Sequence, residues 1–190
     1  MNKPFIAIEG PIGVGKSSLA HRLSKTFGFY EEKEIVDENP FLSDFYDDIE
    51  KWSFQTEMFF LCNRYKQIRD IESLNQGIVS DYHIFDKFSR IFDILTEDIE
   101  MPNTIIFLDA DLDVLKSRIA QRNRSFESQI EDDYLLTLKK DYLAYYESLK
   151  NDGANVIRID TSQQDFVKND YDYQNILNLV KPMIGENKDE

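Results

Sequence analysis

The sequence lacks the cysteine pairs that disulfide bonds need and the long apolar runs that membrane-spanning helices need. Its 190 residues contain a single cysteine, Cys62, so no internal disulfide can form and the chain fits a reducing compartment. Because Cys62 lies in an apolar helical pattern, we expect its thiol to be buried in packing. No apolar run approaches the ~20 residues of a membrane span, and the N-terminal run is too short for a signal peptide. These absences predict a cytoplasmic protein with no membrane partner.

Positive charge is also scarce. The chain has 22 Lys and Arg residues against 36 Asp and Glu, which gives a formal net charge of −14. Nucleic-acid-binding proteins normally present a basic face, so this balance argues against a nucleic-acid partner. Apolar residues make up 42% of the chain and aromatic residues 13%, which argues against disorder. The length and composition predict one domain over 1–190.

The most informative stretch is GPIGVGKSS, which directly follows the apolar run FIAIE. Its spacing matches the phosphate-binding loop between a strand and a helix. Glycines let backbone N–H groups point at phosphate oxygens, and the helix adds the positive end of its dipole. Lys16 is expected to reach the terminal phosphates and the Ser17 hydroxyl to help hold Mg²⁺. The predicted nucleotide-binding residues of this loop are Gly10, Gly13, Gly15, Lys16, Ser17 and Ser18.

Short apolar runs alternate with helical patterns along the chain. Strands are predicted at FIAIE, KEIVD, GIVSD, TIIFLDA and NVIRID, and the clearest helices at about 16–27 and 49–73. Apolar strands joined by helices predict an α/β fold, with a five-stranded parallel sheet covered by helices on both faces, as in P-loop kinases. Ligands collect at the carboxyl ends of such strands. The residues expected at those ends are Gly10, Glu34, Asp81 and Asp109.

Two carboxylates are candidates for the catalytic chemistry. Glu34 precedes Ile35 and Val36, which we expect to form a buried strand beside the phosphate loop. A carboxylate there can accept the proton of an alcohol that attacks a γ-phosphate. Asp81 ends GIVSD at the same crevice, where it could hold Mg²⁺ through water or share the role of base. The spacing alone does not choose between them.

Three arginines, Arg118, Arg122 and Arg124, fall close together in this acidic chain. Asn123 and Ser125 break the helical pattern, so we expect Arg122 and Arg124 to lie on a loop. An arginine-rich lid over about 122–131 would close on the transferred phosphoryl group, whose oxygens the guanidinium fork matches. An ordinary basic helix end is the alternative.

Six motifs in order give the chain a family resemblance. GPIGVGKSS, KEIVDENPF, WSFQTEMFFLCNRYKQ, SDYHIF, FLDA and RNRSFE together resemble the deoxynucleoside kinases over nearly the full length, and most closely those of Gram-positive bacteria that act on deoxyguanosine. The resemblance implies transfer of a phosphoryl group from ATP, or another nucleoside triphosphate, to the 5′-hydroxyl of a deoxynucleoside. It also implies Mg²⁺ as cofactor and a homodimer.

The resemblance also assigns residues around the nucleoside. Glu34 matches the carboxylate near the 5′-hydroxyl, and Tyr46 and Glu127 match positions that hold the 3′-hydroxyl of the sugar. Glu57 and Arg64 match positions that contact the base. The arginines at 118, 122 and 124 match the lid.

The sequence departs from the family pattern at two places. Asp81 matches the acid of an acid–arginine pair that adjoins the substrate, but Tyr82 stands where most relatives have arginine. The segment after Phe85 is also shorter than the stretch that normally covers the base. Any residue of that stretch that contacts the base in relatives therefore cannot be assigned in this sequence.

The base preference is predicted from one helix. Glu57 and Arg64 are seven positions apart and so share nearly one face, whereas Gln55 lies on the opposite side. A carboxylate beside a guanidinium complements the N1–H and N2–H₂ donors and the O6 and N7 acceptors of guanine. Adenine would instead turn its N1 acceptor toward the carboxylate. Deoxyguanosine is the predicted acceptor, and deoxyadenosine or a broad deoxynucleoside range is the alternative.

Other nucleotide-binding classes fit less well. A thymidylate-kinase-like nucleotide kinase shares the loop, but it needs extra cations near the acceptor phosphate, where this chain has the acidic EEKEIVDENP. A GTP switch needs a guanine motif in register, and the sequence NKDE at 187–190 is out of place. An ATPase motor needs partner-facing signatures that we do not find.

Overall fold

The computed structural model describes residues 3–82, 99–124, 127 and 129–185. In these residues five parallel strands form one sheet in the order β2-β3-β1-β4-β5. The strands are β1 (Phe5–Glu9), β2 (Tyr30–Glu32), β3 (Ile78–Ser80), β4 (Thr104–Asp109) and β5 (Val156–Asp160). The predicted five-stranded parallel sheet is confirmed.

Six helices flank the sheet in the described part of the chain. They are α1 (Lys16–Phe27), α2 (Leu42–Asp47), α3 (Ile49–Ile71), α4 (Leu112–Arg122), α5 (Asp132–Asn151) and α6 (Asp170–Val180), and α6 continues into a short 3₁₀ turn. The two predicted helices correspond to α1 and α3. None of these helices combines the length and the apolar composition that crossing a bilayer requires.

Both faces of the sheet are covered by helices, as predicted. Ile6 and Ile8 of β1 pack with α1 and α6 in one buried apolar cluster. On the other face, Phe5 and Ile78 pack with Leu61 and other residues of α3. Side chains of a strand alternate between faces, so a strand buried on both sides must be apolar throughout. This explains why β1, β3 and β4 are continuous apolar runs in the sequence.

The strand register brings several carboxyl ends to one edge. Ala7 aligns with Ser80 of β3 and with Ile105 of β4, and Ser80 aligns with Glu32 of β2. The chain therefore leaves β1, β2 and β3 at neighbouring points. The carboxyl edge of the sheet therefore brings together Gly10, the residues after Glu32, and Asp81.

Two sequence-based expectations about local structure are wrong. The second strand is Tyr30–Glu32 rather than KEIVD, and among the described strands it lies at the edge of the sheet beside β3. Val36 lines a cavity instead, so its apolar character reflects a pocket wall and not a strand. Cys62 is exposed, because it lies about 100° around α3 from the buried Leu61. The shortened segment after Phe85 lies outside the described residues.

Candidate active site

The loop between β1 and α1 has the backbone of a phosphate cradle. Gly13 and Gly15 adopt φ angles of 84° and 105°, in the left-handed region that favours glycine. A Cβ atom on Gly13 would lie 2.8 Å from the carbonyl oxygen of Leu115. Side chains are therefore excluded here by both conformation and space. A backbone of this shape at the N-terminus of α1 suits the binding of phosphate through N–H groups.

Lys16 begins α1 and lies over this loop. Its ammonium group donates hydrogen bonds to the carbonyl oxygens of Gly10 at 2.6 Å and of Pro11 at 3.3 Å. Burial lowers the pKa of Lys16, and the nearby carboxylates of Glu34, Glu9 and Asp81 oppose that shift. The ammonium group of Lys16 thus lies beside the phosphate loop and close to three carboxylates.

A cavity of about 1240 Å³ adjoins the loop and brings most predicted residues together. It continues from the phosphate loop along one face of α3 toward α5. The predicted residues that line it are Lys16, Ser17, Ser18, Glu34, Tyr46, Glu57, Arg64, Asp81, Arg122, Arg124 and Glu127. Arg118 and Tyr82 are not among its lining residues. Gln55, expected on the far side of α3, does not line the cavity either.

Glu34 is fixed at two points. Its backbone N–H donates to the carboxylate of Asp81 at 2.8 Å. Its own carboxylate accepts two hydrogen bonds from Arg64, one from Nε at 3.0 Å and one from Nη2. Burial alone would lower the pKa of Arg64, but the charge and hydrogen bond of Glu34 raise it above the ordinary value. The resemblance assigned Arg64 to the base, whereas its described partner is the carboxylate of Glu34.

The other end of the cavity is organised around Glu127, which is 3% exposed. Its Oε1 lies 3.4 Å from Arg124 and 4.0 Å from Arg122, and its buried Oε2 has no hydrogen-bond partner among the described residues. Burial, followed by the charges of Tyr134 and Glu127, raises the pKa of Tyr46. Tyr46 and Glu127 therefore face the same space, as the resemblance implied.

The arginine segment differs from the expected loop at its start. Arg122 is the last residue of α4, and Asn123 ends that helix with a left-handed φ of 52°. Arg124 follows outside the helix, where it also lies 3.5 Å from Asp37. The expectation that both arginines lie on a loop is therefore wrong for Arg122. A lid over 122–131 stays a prediction, since residues 125, 126 and 128 are not described.

Arg118 supports the phosphate loop from behind. Its guanidinium donates to the carbonyl oxygen of Val14 at 3.1 Å, to both oxygens of Thr161 at 3.0 Å, and to the carbonyl of Gln164 at 3.2 Å. Burial lowers its pKa, and Asp165 opposes this shift. These bonds tie the phosphate loop to the segment after β5. Contact of Arg118 with a nucleotide stays a prediction.

Sequence reasoning missed Glu9 as a site residue. This carboxylate ends β1, lines the cavity and is only 4% exposed. Burial, and after it the charge of Glu9, raises the pKa of the neighbouring Tyr142. The signal was available in the sequence, because a lone acid closes an otherwise apolar strand just before the phosphate loop. Asp109, at the end of β4, instead pairs with Lys139 and Arg158.

The residues present suit a magnesium ion that is held mainly by phosphates. Within the part of the chain that is described, no group of three or more His, Cys, Asp or Glu side chains could hold a metal by itself. Ser17, which follows Lys16, and Asp81 both line the cavity. Mg²⁺ commonly takes one or two protein ligands together with substrate phosphates and water, so this set of donors fits it.

Comparisons with known proteins agree with this geometry. The sequence profile of the family "Deoxynucleoside kinase" matches residues 6–92 and 85–185. The chain is 43% identical to deoxyguanosine kinase of Bacillus subtilis over 95% of its length and 98% of that enzyme. It is 27% identical to the deoxyadenosine/deoxycytidine kinase of the same organism, over 97% and 94% of the two chains.

A solved structure shares the fold. The deoxyadenosine kinase from M. mycoides with bound dATP has a TM-score of 0.80 and 25% identity, with 94% of this chain and 99% of that one covered. The alignment with the Bacillus subtilis deoxyguanosine kinase spans 202 positions, which exceeds the 190 residues of this chain. The two profile matches overlap at residues 85–92. On these matches and on its phosphate loop, the chain belongs to the deoxynucleoside kinase family.

Proposed function

We propose that this protein transfers the γ-phosphoryl group of ATP to the 5′-hydroxyl of deoxyguanosine. The observation that carries the proposal is the position of Glu34. Its carboxylate, bound by Arg64, lines the same cavity as Lys16 and Ser17 of the phosphate loop. The proposed general base and the phosphate-binding loop therefore line the same cavity.

The reaction follows from this arrangement. Glu34 accepts the proton of the 5′-hydroxyl, whose oxygen attacks the γ-phosphorus as the bond to the β-phosphate oxygen breaks. Lys16 and the arginines Arg122 and Arg124 balance the negative charge on the transferred group. Bound with the help of Ser17, Mg²⁺ would neutralise part of the charge on the β- and γ-phosphates. The carboxylate of Asp81 keeps Glu34 in place by accepting a hydrogen bond from the backbone N–H of Glu34.

The preference for guanine is assigned to Glu57. Arg64 is engaged by Glu34, and Glu57 lines the cavity about 10 Å further along α3, given a rise of about 1.5 Å per residue. A carboxylate at that distance accepts hydrogen bonds from N1–H and N2–H₂ of guanine. The 43% identity to a deoxyguanosine kinase supports the same substrate. Deoxyadenosine is the second candidate, since other relatives act on it.

Other features of the proposal come from the family. We infer a homodimer, a cytoplasmic location, a single kinase domain and a lid that contains Arg122 and Arg124. The exposed apolar residues Phe54 on α3 and Leu136 and Leu143 on α5 support a subunit contact.

A panel of acceptors tests the activity. Steady-state phosphorylation is measured with deoxyguanosine, deoxyadenosine, deoxycytidine and thymidine, with ATP and Mg²⁺, beside a reaction that contains no acceptor. We expect the highest kcat/KM with deoxyguanosine. ATP hydrolysis that is independent of any acceptor would point to a switch or motor, and a preference for pyrimidines would contradict the base assignment.

The variant Glu57→Gln tests the specificity. An amide both donates and accepts, so the ratio of kcat/KM for deoxyadenosine to that for deoxyguanosine should rise, and such misplaced polar contacts can change specificity by up to ~10⁴-fold. Glu50→Gln makes the same chemical change at an exposed position of α3 and serves as the control. An unchanged ratio in Glu57→Gln would remove Glu57 from base recognition.

A further inference from the structure

Two aromatic rings contact the guanidinium of Arg64. Its Cζ atom lies 5.3 Å from the ring centroid of Phe60, one turn earlier on α3, and 5.5 Å from that of Tyr82. Both distances are within the range of attraction between a cation and the face of a ring. A planar guanidinium also stacks on such rings, which restricts its orientation.

Tyr82 contributes a ring rather than a hydroxyl at this position. The residue is 3% exposed, and its phenolic oxygen has no hydrogen-bond partner among the described residues. The contact that the described residues show between Tyr82 and Arg64 is therefore made by the ring. Tyr82 is also not among the residues that line the cavity. These positions do not support direct contact of Tyr82 with the nucleoside.

Two carboxylates act on the charge of Arg64. Glu34 raises the pKa of Arg64 most, and Glu9, which lines the same cavity, also raises it. The rings of Phe60 and Tyr82 contact the same guanidinium, and such contacts limit its orientation. Tyr82 follows Asp81, whose carboxylate already holds the backbone of Glu34.

We propose that Tyr82 is a positioning residue whose ring holds the guanidinium of Arg64 on the carboxylate of Glu34. Through Arg64 it keeps that carboxylate directed at the acceptor hydroxyl. The inference deepens the proposed function and rests on it for the role of Glu34. The contact between the ring and Arg64 is independent of any substrate.

A double-mutant cycle tests whether Tyr82 acts through Arg64. Y82L and Y82F are each made in the wild type and in R64M, which keeps a long side chain but removes the cation, and kcat and the KM values for deoxyguanosine and ATP are measured. One such ring contact corresponds to about a tenfold effect, so we expect Y82L to be about tenfold slower in kcat than Y82F. In the R64M background the two variants should have equal kcat.

Other results would overturn the proposal. The same tenfold difference in both backgrounds would mean that Tyr82 acts independently of Arg64. A loss confined to the KM for deoxyguanosine would make Tyr82 a substrate contact. Y82M replaces Y82L if the latter does not fold, with the same expected result. Tyr171→Leu, at an exposed tyrosine of α6, controls for loss of a ring elsewhere.

Unfolding separates this inference from the proposed function. The same cycle is measured by urea denaturation without nucleotide, where we expect the destabilisation of Y82L relative to Y82F to shrink in R64M. Additive effects would show that the ring does not hold Arg64. If the wild type phosphorylates no deoxynucleoside, the proposed function fails, and the unfolding cycle alone then decides the role of Tyr82.

Discussion

The two ends of the cavity are built in different ways. The donor end is one continuous loop and helix start, residues 10–18, whose phosphate contacts we expect to come mainly from backbone N–H groups. The acceptor end draws Glu34, Glu127 and the α3 residues Glu57 and Arg64 from three separate parts of the chain. A local backbone structure depends on its own glycines, whereas an assembled group depends on how β2, β3, α3 and α4 pack. Substitutions at the two ends should therefore have different consequences.

The largest effect is expected at the donor end with Lys16→Ala. Removing the ammonium group leaves the charge on the transferred phosphoryl group unbalanced, so phosphoryl transfer should fall below detection while the unfolding curve stays close to that of the wild type. Turnover and urea denaturation are measured together. Lys25→Ala, at an exposed lysine in the last turn of α1, is the control. Turnover near that of the wild type would rule out the phosphate-loop role of Lys16.

Glu34→Gln tests the acceptor end. The amide keeps the shape but cannot accept the proton, and general-base catalysis is worth ~10²–10⁴ in rate, so kcat should fall by that factor with a smaller change in deoxyguanosine KM. Asp81→Asn is measured beside it. Since Asp81 holds the backbone of Glu34, we expect the milder loss there. If Asp81→Asn has the larger effect, the base is Asp81.

Arg122→Ala concerns the region where the two ends meet. A hydrogen bond to a charged group contributes about 1.5–3 kcal/mol, so kcat should fall about ten- to a hundredfold. The arginine acts on charge that grows in the transition state, and the KM for ATP should change less. Arg124→Ala should behave alike. Equal losses in kcat and in ATP affinity would instead indicate binding of the ground state, and the exposed neighbour Gln121→Ala is the control.

The smallest effect is expected on stability, through Glu32 at the end of β2. Burial raises the pKa of Glu32 from its ordinary 4.5 to about 7, although hydrogen bonds from Gln67 and Tyr30 oppose the shift. Between these values the folded protein binds more protons than the unfolded chain. The free energy of unfolding therefore decreases as the pH rises from 4.5 through about 7.

Glu32→Gln removes this titration and should flatten the pH dependence. Urea denaturation is measured at about pH 5 and at about pH 7.5, on either side of most of the transition. Glu38→Gln, at an exposed acid after β2, should leave the pH dependence as it is in the wild type. Identical slopes in Glu32→Gln and wild type would mean that Glu32 is ionised throughout this range in the folded protein.

The same contrast explains how much could be predicted from the sequence. The sheet, α1 and the phosphate loop follow from local patterns, because continuous apolar strands and the glycine spacing determine them. The partner of Arg64 could not be predicted, since it depends on the packing of α3 against the ends of β2 and β3. Val36 was assigned to a strand because a cavity wall and a sheet both use apolar residues. Cys62 was misplaced because one residue along a helix changes the face.

The two-point attachment of Glu34 has a thermodynamic consequence. Restricting a side chain and its backbone reduces conformational entropy, and that loss opposes whichever process brings it about. Here Asp81 and Arg64 hold Glu34 within the folded chain, so the ordering occurs during folding, when burial of the core offsets it. The acceptor hydroxyl then meets a group that is already oriented, and little of the binding free energy of the nucleoside has to be used to orient it.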